Sequence, residues 1–203
     1  MIIAVDGPAA SGKGTIAQAL AAHFGLPHLD TGLLYRAVGV ACARAGGDPD
    51  RVSDALAGCD FDEMLLADPE LRSEASGALA SRVSIHVPVR AALRARQQAF
   101  AQQPGGAVLD GRDIGTVIAP AADAKLFVTA SPEVRAQRRM SEDPSDCYDT
   151  ILADINARDV RDSARSAAPL IRAHDADLLD TSDLTIGAAV QRAIALVEAR
   201  LRR

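Results

Sequence analysis

Residues 2–15 read Ile2-Ile3-Ala4-Val5-Asp6-Gly7-Pro8-Ala9-Ala10-Ser11-Gly12-Lys13-Gly14-Thr15. The apolar run 2–5 is short, continuous and rich in β-branched residues, which describes a strand buried on both faces. A turn rich in Gly, Pro and Ser follows from 6 to 14. From 15 to 24 the residues Ile16, Ala19, Leu20 and His23 fall near one helical face, and Gly25 and Pro27 end the helix. Within the turn, Gly7, Gly12 and Lys13 complete the G-x-x-x-x-G-K pattern of a phosphate-binding loop. Glycines let successive backbone N–H groups turn inward without a Cβ clash. Those donors, with the positive end of the next helix, cradle an anion. The pattern recurs by chance in unrelated chains, so its position between a buried strand and a helix is what makes it informative.

The loop therefore assigns ATP binding to Gly7, Pro8, Ala9, Ala10, Ser11, Gly12, Lys13, Gly14 and Thr15. Lys13 supplies a mobile positive charge near the β/γ bridge and is a catalytic candidate. Gly14 stands where many such loops carry Ser or Thr, and the hydroxyl comes one position later. That ending resembles nucleoside monophosphate kinases more than GTPase switches. Thr15 and Asp110 are the candidate ligands of Mg²⁺, with Asp110 holding it through water.

Outward from this loop, strands and helices alternate. Residues 28–30 are a short extended piece, 33–45 a helix, and 48–87 an irregular stretch of short helices broken by Gly58 and Pro69. A helix is expected over 88–102, strands over 107–110 and 125–129, and a helix opened by Ser131 as N-cap and Pro132 at N1. A polar, turn-prone break over 142–146 precedes a long helix to about 165. An edge strand at 177–180 and a helix over 185–200 close the chain. The order implies an α/β fold with a central parallel sheet: a three-layer P-loop NTPase fold with a small monophosphate-binding insert and a helical lid. The whole of 1–203 reads as one kinase domain, with the monophosphate-binding subdomain at about 31–103 and the lid at about 141–168.

Three clusters offer an acceptor site. Thr31 and Arg36 begin a helix, with Thr31 placed to cap it and donate to phosphate and Arg36 to clamp it bidentately. Asp110, Gly111, Arg112 and Asp113 follow a strand, where loops of open α/β sheets hold ligands. In the third cluster, on the long helix ending near 165, Arg158, Arg161, Asp162 and Arg165 share one face, presenting three guanidinium groups around one carboxylate. Taken alone, such a segment reads more readily as a surface salt-bridge ladder. Beside a phosphate loop it acquires a purpose, because phosphoryl transfer needs cations that follow the moving charge. Arg112, Arg158, Arg161 and Arg165 are accordingly catalytic candidates.

With GPAASGKGT at 7–15, DTGLLYR at 30–36, DGRDIGT at 110–116, RRM at 138–140 and RDVRDSARSAAPL at 158–170, the chain resembles bacterial cytidylate kinases over nearly its whole length. The resemblance implies that Lys13 and its loop bind ATP, that Thr31, Arg36, Arg112 and Arg165 hold the phosphate of CMP or dCMP, and that Arg158 and Asp162 reach the ribose. It makes Ser81, Arg90 and Asp113 the base-reading set, and adds Tyr35 and Gly111 to the substrate contacts. Cytosine offers a donor at N4 and acceptors at N3 and O2, which a carboxylate and an Arg or hydroxyl match. The stretch between Cys59 and Ser81 is shorter than the insert common in that family.

Composition limits the alternatives. Hydrophobic residues make up 48% and charged residues 24%, with a formal net charge of -5, which argues against a nucleic-acid polymer as partner. Cys42, Cys59 and Cys147 lie far apart with no metal-ligand spacing, and read as reduced thiols of a cytoplasmic protein. His23, His28, His86 and His174 read as packing or surface residues. No signal peptide or membrane span is expected, and no heptad pattern argues against a monomer. Another small-molecule P-loop kinase, of UMP/CMP, adenylate or shikimate type, stays open. So does a non-enzymatic nucleotide-dependent switch, although no N-K-x-D guanine motif is found.

Overall fold

The computed structural model describes residues 1–142 and 147–202, so most of the polar break expected at 142–146 lies outside the described residues. The chain divides into two compact units, one of Met1–Leu29 with Phe100–Arg203 and one of Asp30–Ala99.

The first unit is built on a five-stranded sheet of β1 (Ile2–Asp6), β2 (His28–Asp30), β3 (Ala107–Gly111), β4 (Ala124–Thr129) and β5 (Asp177–Asp180), in the order β2-β3-β1-β4-β5. β1 pairs in parallel with β3, placing Val5 beside Asp110 and Asp6 beside Gly111, and with β4 on its other side. β4 in turn pairs in parallel with β5. Connections from β1 lead to one side and those from β3 to the other, so the strand order reverses at the carboxyl end of β1. That is where doubly wound sheets open a ligand crevice.

Alternation along β1 divides its side chains between the two faces. Ile3 and Val5 pack with Val108, Leu126 and Val128 against α1 (Lys13–Phe24) and the last helix (Ile186–Leu201), through Leu20, Ala193 and Val197. Ala4 and Leu109 face the other way, against Ala101, Ile114 and Ile118. The two apolar faces account for the near-continuous hydrophobic strands read from the sequence. The result is the expected three-layer α/β architecture.

The second unit is helical. It holds α2 (Thr31–Arg44), α3 (Val52–Ala57), two short 3₁₀ turns at Glu63–Ala67 and Pro69–Arg72, α4 (Glu74–Val83) and most of α5 (Val87–Ala101). Its core joins Ala37 and Val40 of α2 to Leu71, with Leu65, Leu66 and Leu79 around them. The irregular stretch expected at 48–87 is resolved into these short pieces.

The chain continues in the first unit with α6 (Pro132–Glu142), α7 (Tyr148–Ser163) and, after β5, α8 (Ile186–Leu201). Ser131 Oγ accepts from Val134 N at 3.3 Å, as expected of an N-cap. Most boundaries fall within a residue of expectation, and three differ by two. α1 begins at Lys13 rather than residue 15, because Gly12, in a left-handed conformation (φ 84°), already serves as its N-cap. α2 begins at Thr31, and its cap is Asp30, which accepts from Gly32 N at 2.9 Å, rather than Thr31. α7 ends at Ser163, so Arg165 lies just beyond the helix. A single π-helical turn at Ile114–Ile118 was not foreseen.

Candidate active site

The phosphate loop is shaped from behind. A Cβ on Gly7 would stand 2.0 Å from Val128 O, so only glycine lets the chain leave β1 this close to β4. Gly12 and Ala10 both take positive φ, and the backbone therefore doubles back on itself at these positions. The loop's carbonyls are drawn outward by fixed donors. Arg135 Nη1 donates to Ala9 O at 3.3 Å, Thr181 Oγ1 to Ser11 O at 3.1 Å and Arg138 Nη1 to Ser11 O at 3.4 Å. Carbonyls held on the outer side leave the inner side of the loop to amide donors, the arrangement an anion needs. Ser11 Oγ is fully buried and has no hydrogen-bond partner among the described residues. Lys13 Nζ lies 3.5 Å from Pro8 O, folded back over the loop.

Beside the loop opens a cavity of about 510 Å³ lined by residues 10–16 together with Arg138, Thr181, Leu184, Ile186 and Ala189. Its size, backbone amides and apolar wall suit a nucleotide, with Lys13, Arg138 and Glu142 as its charged lining. None of Arg135, Arg138, Thr181 and Leu184 was singled out from the sequence as a site residue. Arg138 falls in the RRM stretch at 138–140 that carries part of the resemblance, with no role assigned to it, and Arg135, Thr181 and Leu184 fall in no quoted motif.

Asp110 lies inside β3, almost fully buried, and pairs with His28 Nε2 at 2.8 Å. This corrects the reading of His28 as a packing or surface residue: β2 and β3 put an imidazole against the carboxylate proposed for Mg²⁺. The other oxygen, Oδ2, lies 4.0 Å from where a Cβ on Gly14 would stand, so Asp110 faces the start of α1. Thr15 is exposed one residue further.

At the end of β3, Gly7 N donates to Gly111 O at 3.3 Å, so the segment after β3 that carries Arg112 begins in contact with the phosphate loop. Arg112 Nε donates to Asp162 Oδ2 at 2.9 Å, and Arg165 Nη2 donates to the other oxygen of the same carboxylate. Asp162 is buried, which raises its pKa, but the charges of Arg112, Arg165 and Arg158 outweigh burial and hold the carboxyl below the usual range. The expected trio of arginines around Asp162 is therefore formed by 112, 158 and 165, while Arg161 is exposed. Arg112, just past β3, brings a guanidinium to this carboxylate from another element. Asp113 is buried at the start of the π turn, and its carbonyl accepts from Val117 N and Ile118 N.

Behind the cluster, Arg135 makes a bidentate ion pair with Asp159 of α7, at 3.0 and 2.5 Å, while also holding Ala9 O. The guanidinium is only 2% exposed. One buried charge therefore ties α6, α7 and the phosphate loop together.

In the second unit, Arg36 Nη1 donates to Leu71 O, Ser73 O and Ser76 Oγ at 2.7–2.9 Å, fixing the guanidinium at the N-terminal turn of α4. Arg90 is buried with its guanidinium 5.5 Å from the centre of the Tyr35 ring and donates to Ser84 O at 3.4 Å. Thr31 and Ser81 are buried in the same unit. The structure thus gathers Thr31, Tyr35, Arg36, Ser81 and Arg90 in one unit, and the loop, Asp110, Gly111, Arg112, Asp113, Arg158, Asp162 and Arg165 in the other.

The chain matches the cytidylate kinase family over residues 3–199. It is 58% identical over 204 residues to a cytidylate kinase of Xanthobacter autotrophicus, with 98% of each chain covered. It is 56% identical over 202 residues to one of Azorhizobium caulinodans, again with 98% of each covered. A solved structure of an uncharacterized protein from Eubacterium ventriosum shares the fold, with a TM-score of 0.59 at 15% identity over 98% of this chain and 99% of that one. Identity at this level over nearly the whole chain, with the family match, shows that the chain belongs to the cytidylate kinase family.

Proposed function

We propose that this protein transfers the γ-phosphoryl group of ATP to CMP and dCMP by direct in-line displacement, giving CDP and dCDP. Family membership supports the activity, and one structural observation carries the mechanism. The phosphate loop and the arginine-bearing end of β3 are in backbone contact through Gly7 N and Gly111 O. Acceptor phosphate and γ-phosphate repel each other, and a buried guanidinium set beside the donor loop offsets that repulsion while staying protonated. No side chain need act as a nucleophile, because the acceptor's own phosphate oxygen attacks.

In this reading Lys13 follows the β/γ-phosphates, and Thr31, Arg36, Arg112 and Arg165 bind the acceptor phosphate. Arg158, Arg161 and Asp162 serve the ribose and the developing charge. Ser81, Arg90 and Asp113 read the base. Mg²⁺ would be held by the nucleotide phosphates with Thr15 and Asp110, the latter through water, and when bound would neutralise charge on the β- and γ-oxygens. Among the described residues no three His, Cys, Asp or Glu form a metal cage, which is compatible with an ion carried mainly by the nucleotide. The unit Asp30–Ala99 acts as the monophosphate-binding subdomain and α7 belongs to the lid. No helix among the described residues is long and apolar enough to cross a membrane, and the reading is of a cytoplasmic monomer acting on small nucleotides.

The test is ADP release from ATP-Mg²⁺ with CMP, dCMP, UMP, AMP, GMP or shikimate supplied singly. Fast turnover confined to CMP and dCMP supports the assignment. Preference for UMP or AMP would keep the fold and transfer chemistry but reassign the base pocket.

A further inference from the structure

Asp6 is the last residue of β1 and directly precedes Gly7 of the phosphate loop. Its side chain is 5% exposed and accepts two backbone N–H groups, from Ile114 to Oδ1 at 2.8 Å and from Gly115 to Oδ2 at 2.7 Å. Both donors lie in the π-helical turn that follows Asp113. A carboxylate buried beneath a sheet end has a high desolvation cost and would ordinarily be replaced by an apolar residue. Here its two oxygens meet two amides whose own intrahelical acceptors are missing, because they open a helical turn.

The geometry points to Asp6 as a positioning residue that fixes the acceptor-side arginine and carboxylate in register with the donor loop. This inference rests on the kinase reading above. Arg112 and Asp113 have short leashes: on one side Gly111 is paired to β1, and on the other Ile114 and Gly115 are held by the side chain of β1's last residue. Both ends of the 112–113 segment are thus anchored to the two residues that launch the phosphate loop, Asp6 and Gly7. The fit is close on the donor side as well. A Cβ on Gly115 would stand 3.3 Å from Asp6 Oδ2 and 3.2 Å from Lys125 Cδ, so a side chain at 115 would crowd this contact by a few tenths of an ångström. The segment's placement matters because a misalignment of about 1 Å between reacting groups can cost about a hundredfold in rate.

Asp6→Asn keeps the shape but leaves only one oxygen, so one amide loses its acceptor and faces the new NH₂ group. Compared with wild type at one pH, the variant is expected to lose about 10- to 100-fold in kcat. KM for CMP should rise several-fold. KM for ATP should stay within about twofold, because the inward amides of the loop are untouched. Hydrogen exchange at the Ile114 and Gly115 amides should accelerate in the same variant. Gly115→Ala, which presses on the same contact from the opposite side, should shift the same constants in the same direction and provides the test where Asp6→Asn folds poorly. A lower melting temperature with unchanged kcat and unchanged KM for CMP would make Asp6 purely structural and overturn the proposal. Equal losses for ATP and CMP affinity would also overturn it. An inactive wild type would refute the kinase reading, and exchange at Ile114 and Gly115 would still decide whether Asp6 holds the turn.

Discussion

Lys13 opens α1, with its ammonium lying back over the loop at Pro8 O. In the proposed transfer its charge follows the developing negative charge, and packing does not depend on it. Lys13→Ala should therefore lower kcat by about 10²- to 10³-fold, with the melting curve nearly superimposed on that of wild type, checked by initial rates and calorimetry. Wild-type turnover in the variant would contradict its role. Asp113 supports a different prediction. A site built to accept a donor from the substrate discriminates strongly, because the wrong base leaves a buried group unpaired. Asp113→Asn should reduce the CMP-to-UMP ratio of kcat/KM by about tenfold or more. A ratio equal to that of wild type would place base reading elsewhere. The sequence exposed both residues because each belongs to a short motif with its neighbours in order. It concealed Asp6, His28 and Arg135, whose partners lie 108, 82 and 126 or 24 positions away and are set by strand order and helix packing.

β1, the phosphate loop and α1 were legible as a unit, since period, glycine placement and helix termination all agree. The π turn at Ile114–Ile118 was not. Five residues are too few for a period to show, and the turn is held by a carboxylate on another strand. α7 was legible in type but ends two residues early, at Ser163; beyond it Arg165 pairs with Asp162 and Leu170 N donates to Asp162 O at 2.9 Å. The backing of the loop belongs to this scale too. Thr181 Oγ1, just past β5, shares its one proton between Ser11 O at 3.1 Å and Thr129 O at 3.0 Å, and accepts from Arg138 Nη1 at 3.1 Å. One hydroxyl thus joins the end of β4, the segment after β5 and the phosphate loop. Thr181→Val keeps the volume and removes these bonds, at a cost of about 1 kcal/mol in stability. Because Ser11 O would keep only the longer bond from Arg138 Nη1, at 3.4 Å, KM for ATP should rise by about five- to tenfold while KM for CMP is unchanged. A rise shared equally between the two substrates would mean that the bridge supports the whole fold rather than the loop.

For the whole molecule, two buried carboxylates give stability opposite dependences on pH. Burial pushes Asp6 up to about 7, with the charge of Asp113 adding to it and the two backbone N–H bonds and Arg112 opposing it. Its native state holds a proton more tightly than the unfolded chain, so its contribution is full below the ordinary value of 3.8 and is lost as pH rises through about 7. Asp162, held below the usual range by its arginines, contributes above that value and loses its contribution as pH falls through its lowered pKa. Urea unfolding of wild type and Asp6→Asn between pH 4 and 8 should therefore show the variant gaining relative to wild type as pH rises, and parallel curves would contradict the assignment. A costly carboxylate at the junction of donor and acceptor loops is the kind of expense that active sites retain. The central claim, transfer from ATP to a cytidine monophosphate, is tested most directly with ATP labelled at the γ-phosphate and unlabelled CMP. The label should appear stoichiometrically in CDP, with little released as inorganic phosphate. Label found in inorganic phosphate whether or not CMP is present would contradict the account and leave a nucleotide hydrolase or switch.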